Sequence, residues 1–510
     1  MTALERAISD PRPIDGIGSR SPMHGLARRS IGFADVLGQS VSATAPSAAA
    51  TTVPLLLSVV AGAAQVWSLA LAAVLALLVA SAVNEFTRRM AATGSLYTFV
   101  AKGLGTRASF VAGVALLTGY GFISMFALGG AGTYASVLLA RVVPGVDASP
   151  VLLAGTIALV AALVALVLAR GIRVSTRVAL VVEAVSVGII VTLVVLLLQA
   201  IAPRADWSVL SPAAVSPPTL AVGVVLGLTA FVGFESAATL GVEARTPFRT
   251  IPRAIVWTVV VSGALYVLSS TSFVLGFDVI GERMSESVMP VDQLASAFGV
   301  AWVGALLDLS IATSFVACAI ASMTALVRVL FSMGREGLAP AVLGSTHSRF
   351  RTPFVAVVAS TPLVAVVPVG AALLGAALWD TMQVLIVVAA GGYITAYVLV
   401  CAAAPVFLHR IGELTWPPVV RSILTVGLLL GALLVYLGEE SQSERSPGVW
   451  VLLAVMAAGL VWALVRDRNV PGLRHRIGVH DEPIASDVLG GALRGHGTGR
   501  PGGTERSGGG

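Results

Sequence analysis

The sequence predicts an all-α membrane protein with twelve transmembrane helices, and three observations carry that prediction. Apolar residues make up 56% of the 510 positions and charged residues only 11%, too little charge to keep a soluble surface wet. Apolar runs close to the ~20 residues that a helix needs to cross a bilayer recur along the whole chain; barrel strands would be shorter and would alternate with period two. The basic residues, finally, are shared unevenly between alternate loops.

The twelve runs lie at roughly 36–62, 67–87, 108–140, 150–169, 177–200, 219–242, 254–276, 298–327, 353–377, 381–407, 420–437 and 448–465. With a cytoplasmic N-terminus, the outer loops hold only Arg141, Arg204, Arg283 and Arg445 of the 32 Lys and Arg. That asymmetry predicts both termini inside a cytoplasmic (inner) membrane. It also accounts for the net charge of +6, and no motif supports a nucleic-acid partner. Residues 1–33 carry five arginines and no long apolar run, unlike a cleaved signal peptide, and read as a cytoplasmic tail. Residues 34–410 would form the core with spans one to ten, and 411–466 spans eleven and twelve. Residues 467–510, rich in Gly and Arg, read as a disordered cytoplasmic tail. Cys318 and Cys401 both fall inside spans, so they read as packing residues, with no disulfide, metal site or cofactor implied.

Two spans are interrupted. The first contains SATAPSAAATTVP, residues 42–54, where Pro46 lacks an N–H and clashes with the preceding turn. The sixth contains FVGFESAATLGVEARTPFRTIPRA, residues 231–254, with Gly223, Gly227, Gly233 and Gly241 loosening it. Pro46 and Gly233 are 187 residues apart. Their spans are five apart, an odd number, so the two halves of the chain must be oppositely oriented. Small-residue seams would account for either segment alone, but the matched pair predicts a secondary transporter with its site at the breaks. A broken helix in lipid leaves backbone groups unpaired at several kcal/mol each, and a zwitterionic solute can satisfy them. Its carboxylate suits the positive end of a half-helix, and its ammonium suits the free carbonyls.

The sixth-span stretch FVGFESAATLGVEARTPFRTIPRAI resembles the signature of the amino acid–polyamine–organocation (APC) superfamily of amino-acid permeases. NEFTRRMAATGSLYTFVAKGLG is similar to the loop after the second span of these proteins, with Ala-Ala-Thr-Gly-Ser in place of their proline and double glycine. RVLFSMGREGLAPAVLGSTHSRFRTP is similar to the loop after the eighth. The resemblance covers roughly residues 34–410. It implies the leucine-transporter fold, with two inverted five-helix repeats and two peripheral helices, alternating access, and amino acids or related amines as substrates. It also implies a substrate site at Thr44, Ala45, Pro46 and Ser47, where the family commonly has Gly-Ser-Gly, and at Phe231, Val232 and Gly233. Glu235 would match the family's sixth-span glutamate beside the cavity, and Tyr97 the tyrosine that braces the inner gate.

The residues themselves supply further candidates. A charge at the bilayer centre costs at least ~2.5–3.5 kcal/mol by insertion scales, so Glu235 reads as a gating or proton-coupling group rather than an idle one. Glu183 is a second titratable group near the centre of span five, either coupling a proton or pairing with Arg177 or Arg173. Asp308 faces a vestibule or the substrate. Tyr120 caps the cavity or packs, and Tyr393 and Tyr397 brace the gate or pack. Thr313 and Ser314 are a weak candidate ion site. Arg245, Arg249 and Arg253 enforce topology, and salt bridges to Glu243 or Glu336 would close the cytoplasmic side. The function this predicts is amino-acid or amine transport, proton-coupled, with exchange or sodium coupling as the alternative. A solute sensor is the alternative from a different class. None of the six histidines lies in a span, so a membrane enzyme lacks its catalytic cluster, and a channel lacks a polar pore.

Overall fold

The computed structural model describes residues 25–143, 149–212, 215–286, 290–299, 304–441 and 447–481. Its helices are α1 (Phe33–Ala43), α2 (Pro46–Ala61), α3 (Gln65–Thr87), α4 (Leu96–Leu104), α5 (Thr106–Val142), α6 (Pro150–Ala169), α7 (Ile172–Ile201) and α8 (Pro217–Thr229). They are followed by α9 (Pro247–Ile280), α10 (Pro290–Ala297), α11 (Gly304–Glu336), α12 (Phe354–Leu373), α13 (Leu378–Arg410), α14 (Trp416–Ser441), α15 (Gly448–Asn469) and α16 (Leu473–Arg476). Eleven helical segments among the described residues are long and apolar enough to cross a membrane, which makes this a multi-pass membrane protein. The sequence predicts twelve. The difference lies in the first segment, Phe33–Thr87, whose 55 residues run through α1, α2, a short 3-10 turn at Gly62–Ala64 and α3.

Burial sorts the helices into centre and periphery. In α5, α11 and α13 the most apolar stretches are 78%, 89% and 72% buried, against 28% or less in α6, α12, α14 and α15. The peripheral helices expose Leu163, Val366, Leu434 and Trp450, side chains that lipid, not water, would cover. Close approach at the centre depends on a missing side chain. A Cβ on Gly392 of α13 would stand 2.7 Å from the Ala115 carbonyl oxygen of α5.

Both expected interruptions are present. Between α1 and α2 the chain turns at Thr44 and at Ala45, which is left-handed with φ +43, and Pro46 opens α2 where its missing N–H costs nothing. After α8, Gly233 takes φ +96 and a 3-10 helix, Phe234–Leu240, follows. At one end of the bundle, the arginine-rich end, short connections interlock. Ser30 N–H donates to the Glu243 carbonyl at 2.7 Å and Asp481 N–H to the Ala91 carbonyl at 2.8 Å. Arg28 pairs with Asp481 at 2.9 Å. Residues 467–481, part of the tail expected to be disordered, include the end of α15, α16 and the Asp481 contacts; residues 482–510 lie outside the described residues, as do 1–24.

Gly233 is constrained twice, by its positive φ and because a Cβ there would lie 2.9 Å from the Ala43 carbonyl oxygen. Gly233→Ala should therefore destabilise the fold by roughly 1–3 kcal/mol. Gly188→Ala is the control, since nothing lies within 4 Å of its added Cβ. Thermal unfolding in detergent measures both, and equal midpoints would refute the close crossing of the two breaks.

Candidate functional site

The two breaks cross each other, and their loose backbone groups are met by side chains from neighbouring helices. Tyr266 of α9 donates to the carbonyls of Thr44 and Ala230, at 3.2 and 2.9 Å, joining the two interruptions. Ser40 of α1 donates to the Phe234 carbonyl. Cys318 of α11 lies 3.5 Å from the Ala43 carbonyl oxygen, and the Thr44 and Ser262 hydroxyls are 3.2 Å apart.

A cavity of about 270 Å³ opens beside this crossing, just under the usual range of ~300–1,000 Å³ for ligand sites. Both breaks line it, through Ala43, Thr44, Ala45, Thr229, Ala230 and Val232. Ala48, Ala49 and Thr52 of α2 continue the wall. Ile123, Phe126 and Tyr134 of α5 face them, together with Phe315 of α11 and Met382 of α13. The walls are thus mostly apolar, and Asp308 is the one ionisable carboxyl or basic side chain among the lining residues. Its carboxylate is held by Arg141 at the end of α5, 2.9 Å away.

Glu235 stands in the 3-10 helix just past the second break and is fully buried. Tyr120 of α5 donates to its Oε1 at 2.8 Å, and Tyr397 of α13 donates to Oε2. The Tyr397 hydroxyl in turn accepts from the Gly233 N–H at 3.2 Å. One carboxylate therefore ties the two central helices to the broken one. Tyr393 packs edge-on against the Tyr120 ring, with centroids 5.3 Å apart.

Glu183 of α7 is buried as well. Ser314 donates to its Oε1 at 3.0 Å, and the Ala48 N–H in the first turn of α2 reaches the Ser314 hydroxyl at 3.4 Å. The Ser47 amide also faces the carboxylate, whose Oε2 makes no hydrogen bond of ordinary geometry. The positive end of α2 thus faces a carboxylate. Neither arginine weighed from the sequence is its partner: Arg177 pairs with Asp35 at 3.6 Å and Arg173 donates to the Ser30 carbonyl.

The arginine-rich end is closed over these groups. Arg328 of α11 grips Glu243 with two hydrogen bonds, at 2.8 and 3.0 Å, and both side chains are buried. Tyr97 donates to Glu336 at 2.5 Å, and the Gly478 and Val479 amides donate to the other oxygen, both at 2.9 Å. The salt bridges expected from Arg245, Arg249 and Arg253 to Glu243 or Glu336 are not among these contacts. Burial first, then the negative Glu336, push the Tyr97 phenol well above its ordinary range, so it remains a donor.

Of the residues singled out from the sequence, Thr44, Ala45 and Val232 line the cavity. Pro46 and Ser47 open α2 behind it, Phe231 packs on Tyr266, and Gly233 sits against Ala43. Tyr120 is turned to Glu235 and does not line the cavity. Ser314 is at Glu183, whereas Thr313 bonds carbonyls of its own helix. Sequence reasoning missed Tyr266, Phe126, Phe315 and Arg328. Only the length of Tyr266 and its place in an apolar span hinted at a buried hydroxyl needing a partner. Among the described residues no cluster of His, Cys, Asp or Glu could hold a metal ion.

Comparison with known proteins gives the family. The chain is 25% identical over 310 residues to the branched-chain amino acid permease BcaP of Bacillus subtilis, covering 59% of this chain and 66% of that protein. It is also 25% identical to the methylthioribose transporter of Bacillus subtilis, over 67% of this chain and 75% of that one. With the low-affinity putrescine importer PlaP of Escherichia coli it shares 26% identity over 56% of this chain and 62% of that one. The family model described as amino acid permease matches residues 31–465. A broken-helix cavity in a multi-pass helical protein, carried on that match, makes the chain a member of the amino acid permease family within the APC superfamily, transporters and not enzymes.

Proposed function

We propose that the protein is a secondary active transporter that takes up amino acids or related amines across the cytoplasmic membrane by alternating access, coupled to protons. The observation that carries this reading is the small apolar cavity walled by both broken helices, with the buried Glu235 just beyond it. In this reading Phe33–Thr87 crosses the bilayer twice, with a break in axis at Gly62, whose φ is +52. That makes twelve spans, arranged as two inverted repeats of five and two peripheral helices. The arginine-rich end is then cytoplasmic, and the cavity belongs to an outward-facing state sealed on the inside.

Of the residues expected at the substrate site, Thr44, Ala45 and Val232 line the cavity, so the zwitterion's ends would meet the crossing there, while its side chain lies among Ile123, Phe126, Phe315 and Met382. That lining suits an apolar side chain, consistent with the branched-chain substrates named for BcaP. Coupling follows from hydrogen-bond bookkeeping at Glu235. The carboxylate accepts from Tyr120 and Tyr397 together. A protonated carboxyl must donate its own proton, so one phenol contact has to be remade. Proton uptake would thereby loosen α5 or α13 from the broken helix. Glu183 is the second coupling candidate, because it is buried with a serine and a helix end as neighbours. Sodium coupling has Ser314, beside that carboxylate, as its candidate ligand, and proteoliposome uptake that follows sodium and ignores a pH step would favour it.

Both native cysteines are buried, so single introduced thiols can map topology. Ser285→Cys and Ser345→Cys are at exposed positions. In intact cells an impermeant maleimide should label the first, and should label the second only after permeabilisation; the opposite pattern removes the inverted-repeat reading.

Glu235→Gln keeps the shape but, with one accepting oxygen and one donating amide, mimics the protonated carboxyl and cannot titrate. The variant should fold and insert, with proton-driven uptake reduced about tenfold or more, equivalent to ~1.4 kcal/mol in activation free energy. Uptake matching the unmodified protein at every pH would leave Glu235 a structural role only.

Glu183→Gln separates coupling from packing. If Glu183 carries the proton, the variant should still bind and exchange substrate but fail to concentrate it against a gradient. Intact accumulation with an unchanged pH response would remove Glu183 from the mechanism.

A further inference from the structure

The cavity brings one charged side chain to its wall, and that charge is already engaged. Asp308 lines the cavity near the start of α11, two helical turns before Phe315, which lines it too. Its side chain is 3% exposed, whereas that of its partner Arg141 is 39% exposed. Arg141 stands in the last turn of α5, where the helix dipole favours a cation, and it reaches inward to Asp308 at 2.9 Å. The buried member is therefore the acid, and the base is the member that water can reach.

A carboxylate at an apolar wall needs a cation. Stripped of its partner it would attract one, because an uncompensated charge in such a place is far costlier than a paired one. With Arg141 in place, the wall carries no net charge, and an ammonium on a substrate side chain gains nothing by approaching Asp308. It would lose its hydration and meet a site already filled. Apolar side chains suffer no such loss.

We propose that the Arg141–Asp308 pair is a specificity-determining element: Arg141 acts as a positioning residue that occupies Asp308, reserving the cavity for neutral amino acids and excluding those with a second cationic group. Asp308 is the residue that would touch a basic side chain if Arg141 were absent. The inference rests on the reading of the cavity as the substrate site. It concerns selectivity, which that reading leaves open.

The test compares the full-length protein with Arg141→Gln, Asp308→Asn and the double variant. Competition by leucine, lysine, putrescine and glutamate against labelled leucine in proteoliposomes is the readout, and ligand-induced thermal stabilisation of the purified protein is a second measure that does not need transport. Arg141→Gln should raise the preference for lysine or putrescine relative to leucine by about tenfold or more, a factor equal to ~1.4 kcal/mol. Asp308→Asn should instead improve competition by glutamate, since it removes the carboxylate that Arg141 meets at the cavity wall. The double variant should return to the selectivity of the unmodified protein. A lesion that merely loosens the fold would weaken all four ligands together and leave their ratios alone, and that result overturns the proposal. So does a gain for basic ligands that persists in the double variant. If the unmodified protein binds none of these ligands, the cavity reading fails and takes this inference with it; if it binds leucine and the ratios do not move, the pair is no filter and the cavity reading stands.

Discussion

Two helices broken inside an apolar bundle leave carbonyls and amides that lipid cannot satisfy, and the rest of the architecture follows from how they are met. Tyr266 bonds carbonyls from both breaks at once, so the crossing becomes one unit rather than two defects. Ser40 and Cys318 take further carbonyls from opposite sides. These contacts require neighbouring helices to approach closely, and the chain permits it with Gly233 at the crossing and Gly392 between α13 and α5. A cavity survives beside the crossing because the first turns of α2 present alanines, Ala48 and Ala49, where larger residues would fill it.

The sequence carried the longitudinal information and little of the lateral. Pro46 and Gly233 mark their breaks because each changes what its own backbone can do, and such effects are legible one residue at a time. The apolar runs likewise mark the helices, apart from the count at Phe33–Thr87, where a turn as short as Gly62–Ala64 joins two runs. Rotation about each helix axis was not legible. A helix that is apolar all round has no preferred face, so nothing distinguished Tyr120, which reaches Glu235, from a packing tyrosine. The same holds for Glu183: Arg177 is near it in sequence, yet Ser314 of another helix is its partner. Glu243 pairs with Arg328, 85 residues further along the chain, and not with the arginines beside it in its loop.

The buried carboxylates are consequently not equivalent. Glu235 accepts from two phenols, a neutral shell that leaves its charge uncompensated by any cation among those contacts. Glu183 has one hydroxyl, a nearby amide and the dipole of α2. Asp308 and Glu243 are instead matched by arginines. The groups with neutral shells are those for which gain of a proton changes local charge most directly. In the proposed transport cycle, coupling and closure would therefore reside in different residues.

Under the proposed alternating access, the closed end would also have to open. A bidentate arginine–carboxylate pair such as Arg328–Glu243 is firm when dry, because losing one partner strands the other in a medium that cannot solvate it. Opening is a different process. Water enters as the partners separate, and both charges recover their hydration together, so the loss of their attraction is largely offset. The same applies to Glu336, whose bonds from Tyr97 and the amides of Gly478 and Val479 have ready aqueous replacements. Apolar contacts at that end, such as Leu26 with Val242 and Phe331, have none, and their exposure costs about 25 cal/mol per Å². The small cluster is therefore the part that resists opening, while the charged pairs set the register in which the end closes again.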